Sequence, residues 1–399
     1  MARSPRTLKP RLTRDAARLV SLCKSLHASG SRLEDEFWES QIGEVLKKIF
    51  KAGNDNALES ALDHLSQNDT SAFEVLLEQA ETKTESYSVQ ENGQAWDVLL
   101  MTAPLTVWTR YQLPTANPLP TKTEVSLLAA LHETILAPGV RIDLLPQMVS
   151  PDEMPRSFSE TATWLLRLGQ RAILGKGQFP DMHRPMEPPG LLADSRHLVF
   201  AIATKPGAPF LRWQISETDG RDTCLAQWRE ATRALFAELM PGCQFEILLP
   251  DAYYVSMRDA DKQIRPIAIK AATHWLEAAL SLPASSLRAS VIGLGDNKIQ
   301  EYRVGFSTKG SNDVVYGTVW PLFEPAEEGA VGSEGEIDTI DEIAAVLKES
   351  GIGEVRRIPG IGVLEYCEDC AAPLFPNPLG ELVHAELPEE AVNAPVQFH

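Results

Sequence analysis

The chain has 399 residues, 44% apolar and 23% charged, which is the balance of a globular protein with room for two or three cores and excludes a disordered or collagen-like class. Its net charge is −18, and the 27 N-terminal residues carry seven Arg or Lys against Asp15 alone, leaving −24 on the rest. An acidic body repels phosphate backbones and weighs against broad nucleic-acid binding, while the basic arm reads first as a solvated terminus.

The absence of any run of about 18 apolar residues argues against a membrane span. The opening MARSPRTLKPRLTR has no apolar core behind its charges, which argues against a secretory signal. Five scattered cysteines do not form a disulfide framework, so the expected setting is a reducing cytoplasm.

In chain order, Thr13 predicts a helix cap ahead of the stripe Ala16, Leu19, Val20, Cys23 and Leu26. Ser31 and Glu34 make a capping-box pattern before a second helix ending at Gly53, and shorter helices follow over 58–65 and 73–80. Short connections make these four helices antiparallel neighbours. Cys23 and His27, at i and i+4, read as a buried thiol beside a surface histidine rather than a metal pair.

Asn92-Gly93 signals a hairpin into an alternating strand through Trp96, Val98 and Leu100. A second strand is expected over 107–113, a helix over 125–136, a strand over 140–145 and a helix over 159–173. Residues 175–190 are rich in Gly and Pro and read as a linker. The same order then restarts, with strands at 197–204 and 210–215, a helix at 224–239, a strand at 243–249 and a helix at 267–280.

A repeated element organises this pattern. PGCQFEILLPD from Pro241 matches PGVRIDLLPQ from Pro138 and, loosely, SGIGEVRRIPG from Ser350. Each copy follows an amphipathic helix, turns on a glycine, runs a short strand and stops at a proline. Thr102 and Thr204 differ by 102, the Pro-Gly pairs by 103, and Pro146 and Pro250 by 104. Such spacing points to duplication of a domain-sized unit.

The expected fold class is therefore α+β: an N-terminal helical segment, duplicated ββαβα units with mixed sheets, and a zinc-knuckle-like tail. The divisions are a basic arm and helical segment (1–85), a first unit (86–174), a linker (175–195), a second unit (196–285), a third, partial unit (286–360) and a CxxC tail (361–399).

The strings LLPDAYY at 248–254, EYRVGF at 301–306, CEDCAAPLFP at 367–376 and HAELPE at 384–389 together resemble a betaproteobacterial family of uncharacterised proteins, defined by a domain of unknown function. The resemblance spans nearly the whole chain. It implies a bacterial, cytoplasmic setting and carries neither an activity nor a functional residue.

No phosphate-binding loop, nucleophile elbow or H-E-x-x-H helix occurs. Two places remain. The stretch after Pro250 holds Asp251, Tyr253, Tyr254, Arg258, Asp259, Asp261 and Arg265, and reads as a loop leaving a strand's carboxyl end, where α/β proteins bind ligands. Those groups suit a small polar ligand or proton transfer; the plain alternative is a structural loop with aromatic packing and ion pairs.

In the tail, Cys367-x-x-Cys370 before Ala-Ala-Pro-Leu-Phe resembles the knuckle turn of zinc ribbons, with His384 spaced as a third ligand. Glu386, the terminal His399 or another chain is left to complete a structural Zn²⁺ site. A redox pair, or two reduced cysteines in a turn, are the other readings. The functional expectation is a non-catalytic binding or adaptor protein whose partner is a protein or a small polar ligand. The alternative is an enzyme acting on a small polar substrate at the stretch after Pro250.

Overall fold

A computed structural model describes residues 12–109, 113–114, 118–183, 192–216, 218, 220–296, 298–322 and 338–387. The fold is α+β. Four helices come first: α1 (Arg14–His27), α2 (Arg32–Ala52), α3 (Asn56–Asn68) and α4 (Thr70–Glu85). Thr13 and Ser31 cap α1 and α2 by accepting from the amides of Ala16 and Glu34, so the first orphan donors are satisfied where the apolar stripes begin. The stripes meet in one core that includes Leu19, Leu46, Leu58 and Leu76. Cys23 lies in that core, where desolvation pushes its thiol up to about 12, while His27 stays at the surface. Among the described residues no helix is long and apolar enough to cross a membrane.

The chain passes directly from α4 into the hairpin of β1 (Ser86–Glu91) and β2 (Gln94–Trp108). Next come α5 (Thr121–Thr134), β3 (Arg141–Val149), α6 (Phe158–Leu174) and β4 (Ala193–Thr204). The second half adds α7 (Arg221–Leu239), β5 (Gln244–Ile247), β6 (Asp251–Ala252) and α8 (Tyr253–Leu280). All the strands join one antiparallel sheet. Its centre is β2 against β4, in register from Asp97 opposite Thr204 to Trp108 opposite Ala193.

The outer strands cross over: β3 of the first half pairs with β4, whereas β5 and β6 of the second half pair with β2. Helices α5 and α7 cover one face, with Trp228 and Phe236 of α7 in a core with Leu105 and Phe200 of the sheet. Helix α6 and the start of α8 cover the other, over Val98, Leu168 and Val199.

The expected second strand of each half is not formed as such. In the first half, β2 itself runs on to Trp108, and residues 110–112 lie outside the described part. In the second half, Arg212–Gln214 is a 3₁₀ turn, because the Gln214 side chain accepts from the amides of Phe210 (2.8 Å) and Leu211 (2.9 Å) and so removes them from any ladder. The threonine landmarks also part company: Thr102 lies opposite Val199 and Thr204 opposite Asp97, at different heights in the sheet.

The Pro-Gly turns hold, with Gly139 and Gly242 both at left-handed φ (84° and 76°). The prolines do not end the strands as the sequence suggested. Each sits where the ladder slips, between Leu144 and Met148 in β3 and between β5 and β6, because proline has no amide to donate and forces a break before pairing resumes.

The last part forms a second, mixed sheet. Its strands are β7 (Leu287–Leu294), β8 (Glu301–Thr308), β9 (Tyr316–Pro321) and, after α9 (Thr339–Glu349), β10 (Glu354–Gly362). The order is β10-β7-β8-β9, with β10 parallel to β7 and the rest antiparallel. Helix α8 is 28 residues long and serves both sheets: Tyr253 lies in the core of the first, and Ile269 and Leu276 in the core of the second with Val304, Phe306 and Leu347. A small hairpin, β11 (Phe375–Pro376) with β12 (Leu382–Val383), completes the described fold.

Candidate functional site

The stretch after Pro250 is not a loop. Apart from the two residues of β6 it is the first half of α8, continuing through Pro266. Proline in a helix leaves the carbonyl four residues earlier without its donor, and here the Lys262 carbonyl accepts from Arg265 Nε at 3.4 Å instead. The helix runs on past the proline with its two halves anchored in the cores of the two sheets.

The five candidate ligand-binding residues do not converge. Asp251 is buried and paired with Arg221, and its Oδ1 also accepts from the Ala252 amide. Tyr253 is buried among apolar groups, with its phenol pushed far up by desolvation. The Tyr254 hydroxyl meets Thr84 Oγ1 at 3.0 Å, and its amide donates to Glu85. Arg258 pairs with Glu81 at 2.7 Å, fixing α8 to α4. Arg265 reaches the second sheet, where Nη1 donates to the Pro321 carbonyl at 2.9 Å and the guanidinium lies over Trp320. A cleft of about 860 Å³ opens elsewhere, between α2, the β1–β2 hairpin and α6, and none of the five lines it.

Around this seam burial pushes three carboxyls up. Burial raises Glu85 to about 7 against the hydrogen bond from Tyr254, and raises Asp261 to about 6 against the charge of Arg265. For Glu81, burial outweighs even its ion pair with Arg258. The stretch is thus a docking seam joining bundle, first sheet and second sheet.

The tail behaves differently. Cys367, Cys370 and His384 present one ligand atom each, all within 4.8 Å of one another. Cys370 Sγ and His384 Nε2 are 3.3 Å apart, close to the roughly 3.6 Å set by tetrahedral bonds of about 2.3 Å to sulfur and 2.0–2.1 Å to nitrogen. The turn is closed by backbone bonds. The Cys367 amide donates to the Ala372 carbonyl, the Ala371 amide returns to the Cys367 carbonyl, and Ala371 takes a left-handed φ of 57°. The amides of Cys370 and Asp369 point at the Cys367 sulfur and hold its thiol below the usual range. Glu386 Oε1 lies 3.7 Å from the other ring nitrogen of His384. His399 lies outside the described residues.

What holds this turn was not legible as a site. Arg303 on β8 is fully buried, and its Nη1 donates to the carbonyls of Glu365 (2.5 Å) and Leu374 (2.8 Å), one on each side of the knuckle. Glu301 pairs with its Nε, and the Tyr366 ring lies against its guanidinium.

Two glycines opposite each other, Gly305 on β8 and Gly317 on β9, let the tail lie directly on the sheet. A Cβ at Gly317 would sit 2.2 Å from the Phe375 ring, and one at Gly305 2.2 Å from the Pro376 carbonyl oxygen. Further on, the Glu386 amide donates to Val314, and Leu387 packs on the second core. The only sequence signal was the string EYRVGF itself, with a charged residue inside an apolar strand two positions before a glycine.

No curated protein and no solved structure matches the chain. A family model does, over residues 5–398. The chain therefore belongs to the family described as "Protein of unknown function (DUF2863)".

Proposed function

We propose that this is a non-catalytic binding or adaptor protein of the bacterial cytoplasm that holds a zinc ion on its C-terminal knuckle. The observation that carries the reading is the convergence of Cys367, Cys370 and His384 on a turn whose backbone is already fixed by Arg303. Two thiolates and an imidazole are the donor set that Zn²⁺ takes in preference to harder ions. The enzyme alternative has no comparable support, since Asp251, Tyr254, Arg258 and Arg265 are each tied to a neighbour rather than to a shared cavity.

We also read the two halves of the large sheet as copies of one unit. Support comes from the reciprocal pairing of β3 with β4 and of β5–β6 with β2, and from the matching Pro-Gly turns and proline slips. Elemental analysis of purified protein tests the zinc reading. About one zinc per chain is expected, with loss of that zinc in Cys370→Ser while the circular dichroism of the body is unchanged. Equal zinc content in both proteins contradicts it.

A further inference from the structure

We infer that the knuckle is an open three-donor site, whose fourth metal position is left for an exchangeable sulfur or nitrogen donor, a thiolate or imidazole, from outside the chain. The inference rests on the zinc reading above and goes beyond it. Among the described residues, no fourth His, Cys, Asp or Glu joins the group. Glu386 does not fill the place: its carboxylate lies toward Nδ1 of His384, whereas Nε2 faces Cys370. A carboxylate on the distal nitrogen orients an imidazole ligand rather than adding to the coordination shell.

The site also faces water, with Cys370 and His384 both exposed and Cys367 half-buried. A closed structural site uses all four positions to fold its segment, whereas a site with three protein ligands keeps one for water or an incoming group. Contacts outside the donor set also hold the segment. Arg303 grips the backbone on both sides of the turn, and the Gly305–Gly317 cradle seats β11, so the donors are arranged before metal arrives. A preorganised, solvent-facing Cys₂His set on an adaptor is suited to capturing a donor presented by a partner.

Cobalt(II) reports on this directly, because its ligand-field bands respond to the fourth ligand. The reduced, metal-free full-length chain would be titrated with Co²⁺ and then with imidazole, for the natural sequence and for His399→Ala. The expected result is one Co²⁺ per chain, bands that shift saturably with imidazole, and metal affinity within about twofold in the variant. Bands that do not move with imidazole overturn the proposal. So does a tenfold or greater loss of affinity in His399→Ala, which would identify a fourth ligand within the chain. Failure to take up Co²⁺ at all, or uptake unchanged in Cys370→Ser, overturns the zinc reading itself.

Discussion

Two titratable residues, one buried and one half-buried, act on stability in opposite pH windows. His197 is fully buried between Ser195 Oγ (3.0 Å) and Thr102 Oγ1 (3.2 Å), and desolvation lowers it to about 3. The unfolded chain binds its proton near pH 6.5, so this histidine's contribution is present above that value and is lost as pH falls toward 3. Glu85 is the reverse case. Burial raises it to about 7, so the folded state binds the extra proton and stability falls as pH rises from about 4.5 through 7. Glu85→Gln keeps an acceptor for the Tyr254 amide but cannot ionise. It is expected to stabilise the protein by on the order of 1–2 kcal/mol at pH 8 and by little at pH 5, read from urea midpoints. A gain of equal size at both pH values would show that ionisation is not the cause. The polar partners of this seam were visible in the sequence as a polar stretch, but their packing was not: Asp251, Tyr254 and Arg258 look the same in sequence whether they line a pocket or clamp elements together.

At the scale of elements, the prolines misled and the helical periodicities of the N-terminal segment did not. The four N-terminal helices and their caps follow from local chemistry, because Thr13 and Ser31 need only neighbours within three residues. Pro146 and Pro250 looked like strand ends, yet pairing resumes beyond each, which depends on a partner strand about 50 to 150 residues away. Pro266 looked like a helix start and lies inside α8. In the tail, Phe375 is buried against Gly317 and Asn377 ties β11 to β12 through bonds to Leu379 and Glu381. Gly317→Ala places a methyl in the Phe375 ring, and overpacking of this kind costs about 1–3 kcal/mol. Limited proteolysis should then cut within 363–387 several-fold faster, with cleavage in the helical bundle unchanged. A tail as resistant as that of the natural sequence would remove the cradle from the account.

Across the whole molecule, three of the four strings that carry the family resemblance meet in space. EYRVGF supplies Arg303 and Gly305; CEDCAAPLFP supplies the knuckle and the strand seated on that glycine; the start of HAELPE supplies His384. The fold thus gathers three distant segments to hold one small turn, and the proposed zinc would give that arrangement a purpose beyond packing. X-ray absorption at the zinc edge of the purified, reduced protein tests this most directly. The account predicts zinc bound by two sulfurs at about 2.3 Å and by nitrogen or oxygen at about 2.0–2.1 Å, with the sulfur shell lost in Cys370→Ser. Zinc with a shell of oxygen and nitrogen alone, or protein free of zinc from zinc-supplemented cells with both thiols reduced, would contradict it.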